Sequence, residues 1–253
     1  MPRLLLDNVS VDFPIYDATH RSMRRTLLSM GVGGAIFQRN RHQMAVRALD
    51  GIDLDLRDGD RVGLIGHNGA GKSTLLRVLA GLCEPSGGGV LIDGRVGTLL
   101  SLLSILDPEM TGFENIDTAA VLLDLPAARR RTLADEVADF TELGEFLALP
   151  IKTYSTGMQL RLSLGLMTAQ EPDILLVDEV MGAGDAHFFD KASRRLAGLR
   201  DRTSIMVMAS HNNDQIRQLC NQGIWLEHGR IVRQGPVDEV LAAYIAATAP
   251  APV

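Results

Sequence analysis

Nine consecutive residues, Gly66-His67-Asn68-Gly69-Ala70-Gly71-Lys72-Ser73-Thr74, constrain this chain more than any other stretch. They fit G-x-x-x-x-G-K-[ST], the pattern of a phosphate-binding loop. The loop needs a strand before it and a helix after it, and the flanks supply both. Arg61-Val62-Gly63-Leu64-Ile65 is a short apolar run suited to a buried strand, and Thr74 to Leu82 repeats Leu75, Leu76, Val78, Leu79 and Leu82 at helical spacing. The glycines let the backbone curl so that successive N–H groups of the loop, Asn68 to Thr74, point inward at phosphate oxygens. The helix aims its positive end at the same place. In such a loop Lys72 reaches the β- and γ-phosphates, and the Ser73 hydroxyl ligates Mg²⁺. The implied ligand is a nucleoside triphosphate.

Bulk properties bound the rest. A chain of 253 residues suits one large α/β domain with a small appended subdomain, and 46% hydrophobic residues suit a packed core. A net charge of −6 and a pI near 5.5 argue against nonspecific nucleic-acid binding as the main task. Cys83 and Cys220 form neither a metal spacing nor a disulfide framework, which points to a reducing cytoplasm. Met1 to Val11 is too short for a signal peptide and carries Asp7. The longest apolar stretches, such as Val96 to Leu106, fall short of the ~20 residues a membrane span needs, so any membrane connection runs through a partner.

In chain order, Arg3 to Phe13 reads as a strand closed by Phe13-Pro14-Ile15-Tyr16. Phe13 or Tyr16 either stacks on a nucleotide base or fills the edge of the core. Ala18 to Leu49 holds no acid but contains Arg21, Arg24, Arg25, Arg39, Arg41 and Arg47, an arginine-rich insertion over about residues 18–47. Within it, Thr19 to Met30 places Met23, Leu27 and Met30 near one helical face. That piece either lies on an anionic membrane or a partner, or is a solvated helix and loop. A strand is expected over Arg47 to Leu56. Pro85, Gly87-Gly88-Gly89, Val90 to Ile92 and Asp93-Gly94 read as a hairpin. Thr98 to Ile105 is open between strand and helix. Phe113 to Leu123 and Ala127 to Leu143 are helical and belong to an inserted helical subdomain over about residues 107–170. The tail from Ala246 to Val253 is expected to fray.

A second constellation is Ile174-Leu175-Leu176-Val177-Asp178-Glu179. Four apolar residues make a buried strand, and two carboxylates arrive at its C-terminal end, where open α/β sheets keep their sites. Asp178 is placed to hold the Mg²⁺ shell, and Glu179 to orient or deprotonate an attacking water. Alone this is weak; after a phosphate loop it is strong.

Between the two lies Tyr154-Ser155-Thr156-Gly157-Met158-Gln159-Leu160-Arg161-Leu162, where the chain resembles the ATP-binding-cassette family. The resemblance covers Leu4 to Tyr244. It implies a P-loop NTPase (RecA-like) α/β core with an N-terminal antiparallel β subdomain and the helical insertion, all within one nucleotide-binding domain over residues 1–253. It implies ATP and Mg²⁺ as ligands and a homodimer that sandwiches two ATP. In it Ser155 and Gly157 face the γ-phosphate held by Lys72 of the second subunit. Gly184-Asp185 resembles the turn that crosses the dimer interface. His211, after the apolar strand Ser204 to Ala209, resembles the switch histidine that contacts the γ-phosphate.

The wording Tyr-Ser-Thr-Gly-Met, Asp178-Glu179-Val180-Met181-Gly182-Ala183-Gly184-Asp185-Ala186-His187-Phe188 and Thr111-Gly112-Phe113-Glu114-Asn115-Ile116 is similar to the subfamily exporting bacterial polysaccharides: O-antigen, capsule or teichoic acid. The resemblance implies an ATPase subunit on the cytoplasmic face of the inner membrane, driving a multi-span permease. It further implies that the glycan is not bound directly by this chain and that nucleic acid is not a partner. The alternatives are the cassette of another transporter, or a non-transport cassette ATPase acting on nucleic acid or ribosomes. The second usually carries a long coiled coil or tandem cassettes, which this chain lacks. The chain departs from the family at Ser101 to Leu106, where Ser101 stands near the place of a glutamine that touches Mg²⁺ and the membrane subunit.

Overall fold

The computed structural model describes residues 1–15, 35–40, 43–100, 106–123, 125–178 and 186–249. Its first elements are β1 (Arg3–Ile15), β2 (Ala35–Asn40), β3 (Gln43–Arg57), β4 (Arg61–Ile65), α1 (Lys72–Leu79), β5 (Gly87–Asp93) and β6 (Val96–Leu99). Next come α2 (Gly112–Leu122), α3 (Ala127–Thr141), α4 (Thr156–Met167), β7 (Ile174–Asp178) and α5 (Ala186–Arg202). The chain closes with β8 (Ile205–Ala209), α6 (Asn213–Leu219), β9 (Gln222–Glu227), β10 (Arg230–Pro236) and α7 (Val237–Thr248). Two compact units result, one of residues 1–95, 176–179 and 204–253, the other of residues 96–175 and 180–203.

The first unit holds an antiparallel sheet ordered β2-β3-β1-β5. Its inward face follows from alternation: on β3, Ile52, Leu54 and Leu56 are buried, while Gly51, Asp53 and Asp55 are exposed. On β1 the buried set changes parity, from Leu4 and Leu6 to Val9 and Val11. A bulge explains this. Leu6 faces Leu54 and Val9 faces Ile52, so one extra residue is absorbed around Asn8, which sits at φ 49°. The bulge in turn selects its other neighbour, because a Cβ on Gly88 (φ +87°) would stand 2.3 Å from the Asn8 carbonyl oxygen.

The same unit holds the buried sheet. β4 pairs in parallel with β8 on one side and β9 on the other, and β10 returns antiparallel on β9. β7 lies on the far side of β8 from β4. β4 and β8 are continuous apolar runs, buried almost throughout, as strands covered on both faces must be.

The second unit is mainly helical. Ile116, Leu133, Val137, Leu147, Leu162 and Leu166 form the centre of its core. Thr111 starts α2 with a complete capping box: its Oγ1 accepts from Glu114 N, and the Glu114 carboxylate accepts from Thr111 N at 2.8 Å. Tyr154 donates its hydroxyl to Phe146 O at 2.6 Å. On α5, Arg195 lies 4.7 Å over the Phe140 ring and donates to Thr168 Oγ1 at 2.7 Å; burial pushes its pKa down. β6 stands beside β7, whose first residues Ile174 and Leu175 belong to this unit.

Several expectations need correction. The segment after the phosphate loop is not a hairpin: β5 is a single strand paired with β1, with Leu4 opposite Ile92. Of the turn-forming glycines at 87–89, Gly88 serves the close passage over the bulge instead. The strand expected from Arg47 begins at Gln43, and β1 continues to Ile15. β2, inside the arginine-rich stretch, was not anticipated; it pairs Ile36 with Val46. Residues 96–99 resolve as strand. Tyr16, the amphipathic piece Thr19 to Met30, and Ser101 to Ile105 lie outside the described residues.

Candidate functional site

The site is built where β4 ends and α1 begins. Between them Gly66, Gly69 and Gly71 all take positive φ (150°, 80° and 108°). At two of these the surroundings also forbid a side chain. A Cβ on Gly66 would meet the Leu226 carbonyl oxygen at 2.4 Å, and one on Gly71 the Ala48 carbonyl oxygen at 2.9 Å. The loop is therefore pressed against neighbouring backbone. It is also tied there: Gly229 N donates to Ala70 O at 3.0 Å, and Asp50 N donates to Gly229 O at 2.9 Å.

Gly71, the residue before α1, offers no side-chain cap, and the first turn carries no acid. A helix leaves its first N–H groups without intrahelical partners, so an uncapped start is a site for an anion. The contrast with α2 is direct, since Thr111 and Glu114 consume those donors there. Lys72 is buried to 8% exposure, and its ammonium donates to Gly66 O (2.6 Å) and His67 O (3.0 Å). The positive charge is thus held by the loop itself. Ser73 is exposed and Thr74 buried, so of the two hydroxyl-bearing residues Ser73 faces outward.

Asp178 ends β7 in the same unit, half-buried. β7 and β4 flank β8, so the two strands run about 10 Å apart at the usual strand spacing. His211 follows β8, whose Ala209 is level with Leu64 of β4, so it leaves the sheet at the same end as the loop. It is exposed. Its neighbours are held in place: Ser210 Oγ donates to Gln215 Oε1 (2.8 Å) and accepts from Asn212 N (3.1 Å), while Asn212 caps α6. Phe13, half-buried, sits on β1 opposite Val46.

In the other unit Ser155 is exposed and caps α4, its Oγ accepting from Met158 N at 3.3 Å. Gly157 is half-exposed with nothing nearer to its would-be Cβ than Ser155 Oγ at 3.9 Å, so this helix start is open to an approaching group. Glu179 and Asp185 lie outside the described residues. Sequence reasoning passed over one cluster at the loop: His67, Glu227 and His228 bring possible ligand atoms within 4.8 Å of one another. The His-Gly pair at 228–229 was its visible signal.

Comparison with known proteins agrees with this geometry. The family described as ABC transporter matches residues 49–182, from the middle of β3 through the phosphate loop to beyond Asp178. The O-antigen export system ATP-binding protein RfbE of Yersinia enterocolitica is 43% identical over 92% of this chain and 98% of its own length. The O-antigen export system ATP-binding protein RfbB of Klebsiella pneumoniae is 32% identical over 96% and 97%. Among solved structures, an ATP-binding cassette in a dimeric post-hydrolysis state, bound to ADP and Pi, superposes with a TM-score of 0.68 at 21% identity, covering 92% of this chain and 98% of that one; it bears on the fold. With the loop, its uncapped helix and the strand-end carboxylate all inside the matched span, the chain belongs to the ABC transporter family.

Proposed function

We propose that this chain is the ATP-hydrolysing subunit of a bacterial polysaccharide exporter, acting on a lipid-linked glycan such as O-antigen through a membrane permease. One observation carries it: an intact, uncapped phosphate loop with Lys72 seated in it, in a chain matched almost end to end by an O-antigen export ATP-binding protein. Among the described residues no helix is long and apolar enough to cross a membrane; in this reading the chain sits peripherally on the permease's cytoplasmic face. Exposed Phe113, Val121, Leu122 and Phe146 give the second unit apolar surface for a partner.

In this reading the whole chain is one nucleotide-binding domain. The N–H groups of Asn68 to Thr74 cradle the phosphates, and Lys72 exchanges its loop carbonyls for β- and γ-phosphate oxygens. Phe13 stacks on the base. The outward Ser73 hydroxyl and the Asp178 carboxylate are hard oxygen donors of the kind Mg²⁺ takes. When bound, that ion neutralises charge developing on the transferred phosphoryl group. Glu179 orients a water for attack, and His211 stabilises the γ-phosphate as it leaves. Ser155, Gly157 and Asp185 serve the nucleotide held by a second copy, so that each site is complete only in a closed dimer. Arginines of the 18–47 insertion contribute to membrane docking.

The test is Glu179→Gln in saturating Mg-ATP. Light scattering is expected to find a stable ATP-bound dimer that does not turn over. A protein that binds nucleotide yet stays monomeric would refute the sandwich. Parent chain reconstituted with its permease is expected to export glycan only with ATP, and hydrolysis without export would refute the transport assignment.

A further inference from the structure

Two segments that share no local sequence meet beside the phosphate loop. One is the loop itself, at His67; the other is the tight turn joining β9 to β10, at Glu227 and His228. That turn has two residues with positive φ, His228 at 48° and Gly229 at 78°, between paired Glu227 and Arg230. Such a turn matches the twist of the strands it joins. The two segments are tied to each other through their backbones. Gly229 N bonds to Ala70 O at 3.0 Å, and on its other side a Cβ on Gly229 would strike the Ala48 carbonyl oxygen of β3 at 2.6 Å.

We propose that His67, Glu227 and His228 form a zinc(II) site. Their candidate ligand atoms lie within 4.8 Å of one another, and the two imidazoles stand 5.5 Å apart, edge to face, at 62°. The tautomer of His67 is settled by its neighbour. Its Nδ1 lies 2.7 Å from Asn68 O, and a carbonyl only accepts, so Nδ1 carries the proton and Nε2 keeps the lone pair. A backbone carbonyl holding the far ring nitrogen is the usual support of a metal-ligating histidine. Both histidines are exposed and Glu227 is half-buried, so modest side-chain rotation brings the donors to the ~3.3 Å separation that bonds of ~2.0–2.1 Å require. Two imidazoles and one carboxylate leave a fourth position for water.

The donor set also decides the metal. Imidazole nitrogen suits zinc and its borderline neighbours, whereas Mg²⁺ takes oxygen. The site is thus chemically separate from the Ser73 and Asp178 oxygens. It is not isolated from the loop, because His67 O accepts from Lys72 Nζ at 3.0 Å. Zinc on the imidazole of the same residue would clamp the loop to the β9–β10 turn.

The experiment is a zinc titration of the full, tag-free chain, stripped of metal, by calorimetry and by competition with a chromophoric chelator. One zinc per chain is expected, undiminished by excess Mg²⁺ and by Cys83→Ser or Cys220→Ser. His67→Gln and His228→Gln are each expected to weaken binding at least tenfold, a loss of the size seen when even supporting residues of a zinc site are removed. Cobalt(II) substituted into the parent is expected to give the ligand-field bands of a four-coordinate site, absent from either variant. Melting in a chelator establishes that each variant folds; if His67→Gln does not, His228→Gln and Glu227→Gln, neither of them a residue of the loop, carry the test. No zinc bound by the parent, equal affinity after both histidine substitutions, or a site lost with a cysteine would overturn the proposal.

Discussion

Replacing Gly66 by alanine probes the packing behind the phosphate loop, and the structure supplies its own control. Gly66 has φ +150° and its Cβ would stand 2.4 Å from the Leu226 carbonyl oxygen and 3.0 Å from Ala70 Cβ. Gly59 also has positive φ, +91°, but nothing lies within 4 Å of its would-be Cβ. Gly59→Ala therefore carries only a backbone cost, about 1–2 kcal/mol for an L-residue in a disfavoured region. Gly66→Ala adds an overlap with backbone of β9, which β4 holds in register at Leu64 opposite Ile224 and cannot simply swing aside. Forcing an extra carbon into packed structure costs roughly 1–3 kcal/mol more. The expected total is about 2–5 kcal/mol. At about 2–4 °C per kcal/mol for a chain of this size, the melting temperature drops by roughly 5–20 °C. Thermal denaturation followed by circular dichroism, run beside Gly59→Ala, reads the difference, and binding of a fluorescent ATP analogue reads the loop. A Gly66→Ala protein that melts no lower than Gly59→Ala would show that the loop is not pressed on β9 as described.

His211→Ala is expected to fold normally and bind ATP while hydrolysing it about a hundredfold more slowly, the usual cost of one lost transition-state contact; parental turnover would make the residue structural. Ser101→Ala is expected to change turnover by less than about threefold, under ~1 kcal/mol, since a short hydroxyl substitutes poorly for the family glutamine; a variant as inactive as Glu179→Gln would reverse that. At α2, the Glu114 carboxyl is held below its ordinary value of 4.5 by the hydrogen bond from Thr111 N and then by the Thr111 hydroxyl. A depressed carboxyl stabilises the fold above the unfolded pKa and loses that contribution as pH falls through the folded one. The stability gap between parent and Glu114→Gln in urea melts is therefore expected at pH 6 and to narrow below about pH 4; a gap independent of pH would mean that the capping box does not discriminate the charge.

What the sequence by itself determined was local. The loop pattern dictates strand, glycine turn and helix over residues 61–79, because the strand period, the positive-φ residues and the helical repeat are all properties of adjacent residues. The same holds for the alternation Ile52, Leu54, Leu56 and for the apolar run ending at Asp178. Pairing partners are a different kind of fact. Glycines 87–89 carry the composition of a turn, yet they form the start of a strand, and at Gly88 the bulge at Asn8, some eighty positions earlier, leaves no room for a side chain. The necessity of Gly66 and Gly71 likewise comes from Leu226 and Ala48, residues that no local pattern connects to them. His67 meets His228 only because β4 and β9 are adjacent in the sheet and the turn after β9 is bonded to Ala70. Local periodicity is set by backbone geometry that each residue carries alone. Which edge, loop or side chain lies opposite is set by burying the whole apolar surface at once, and that was decided in the tertiary structure.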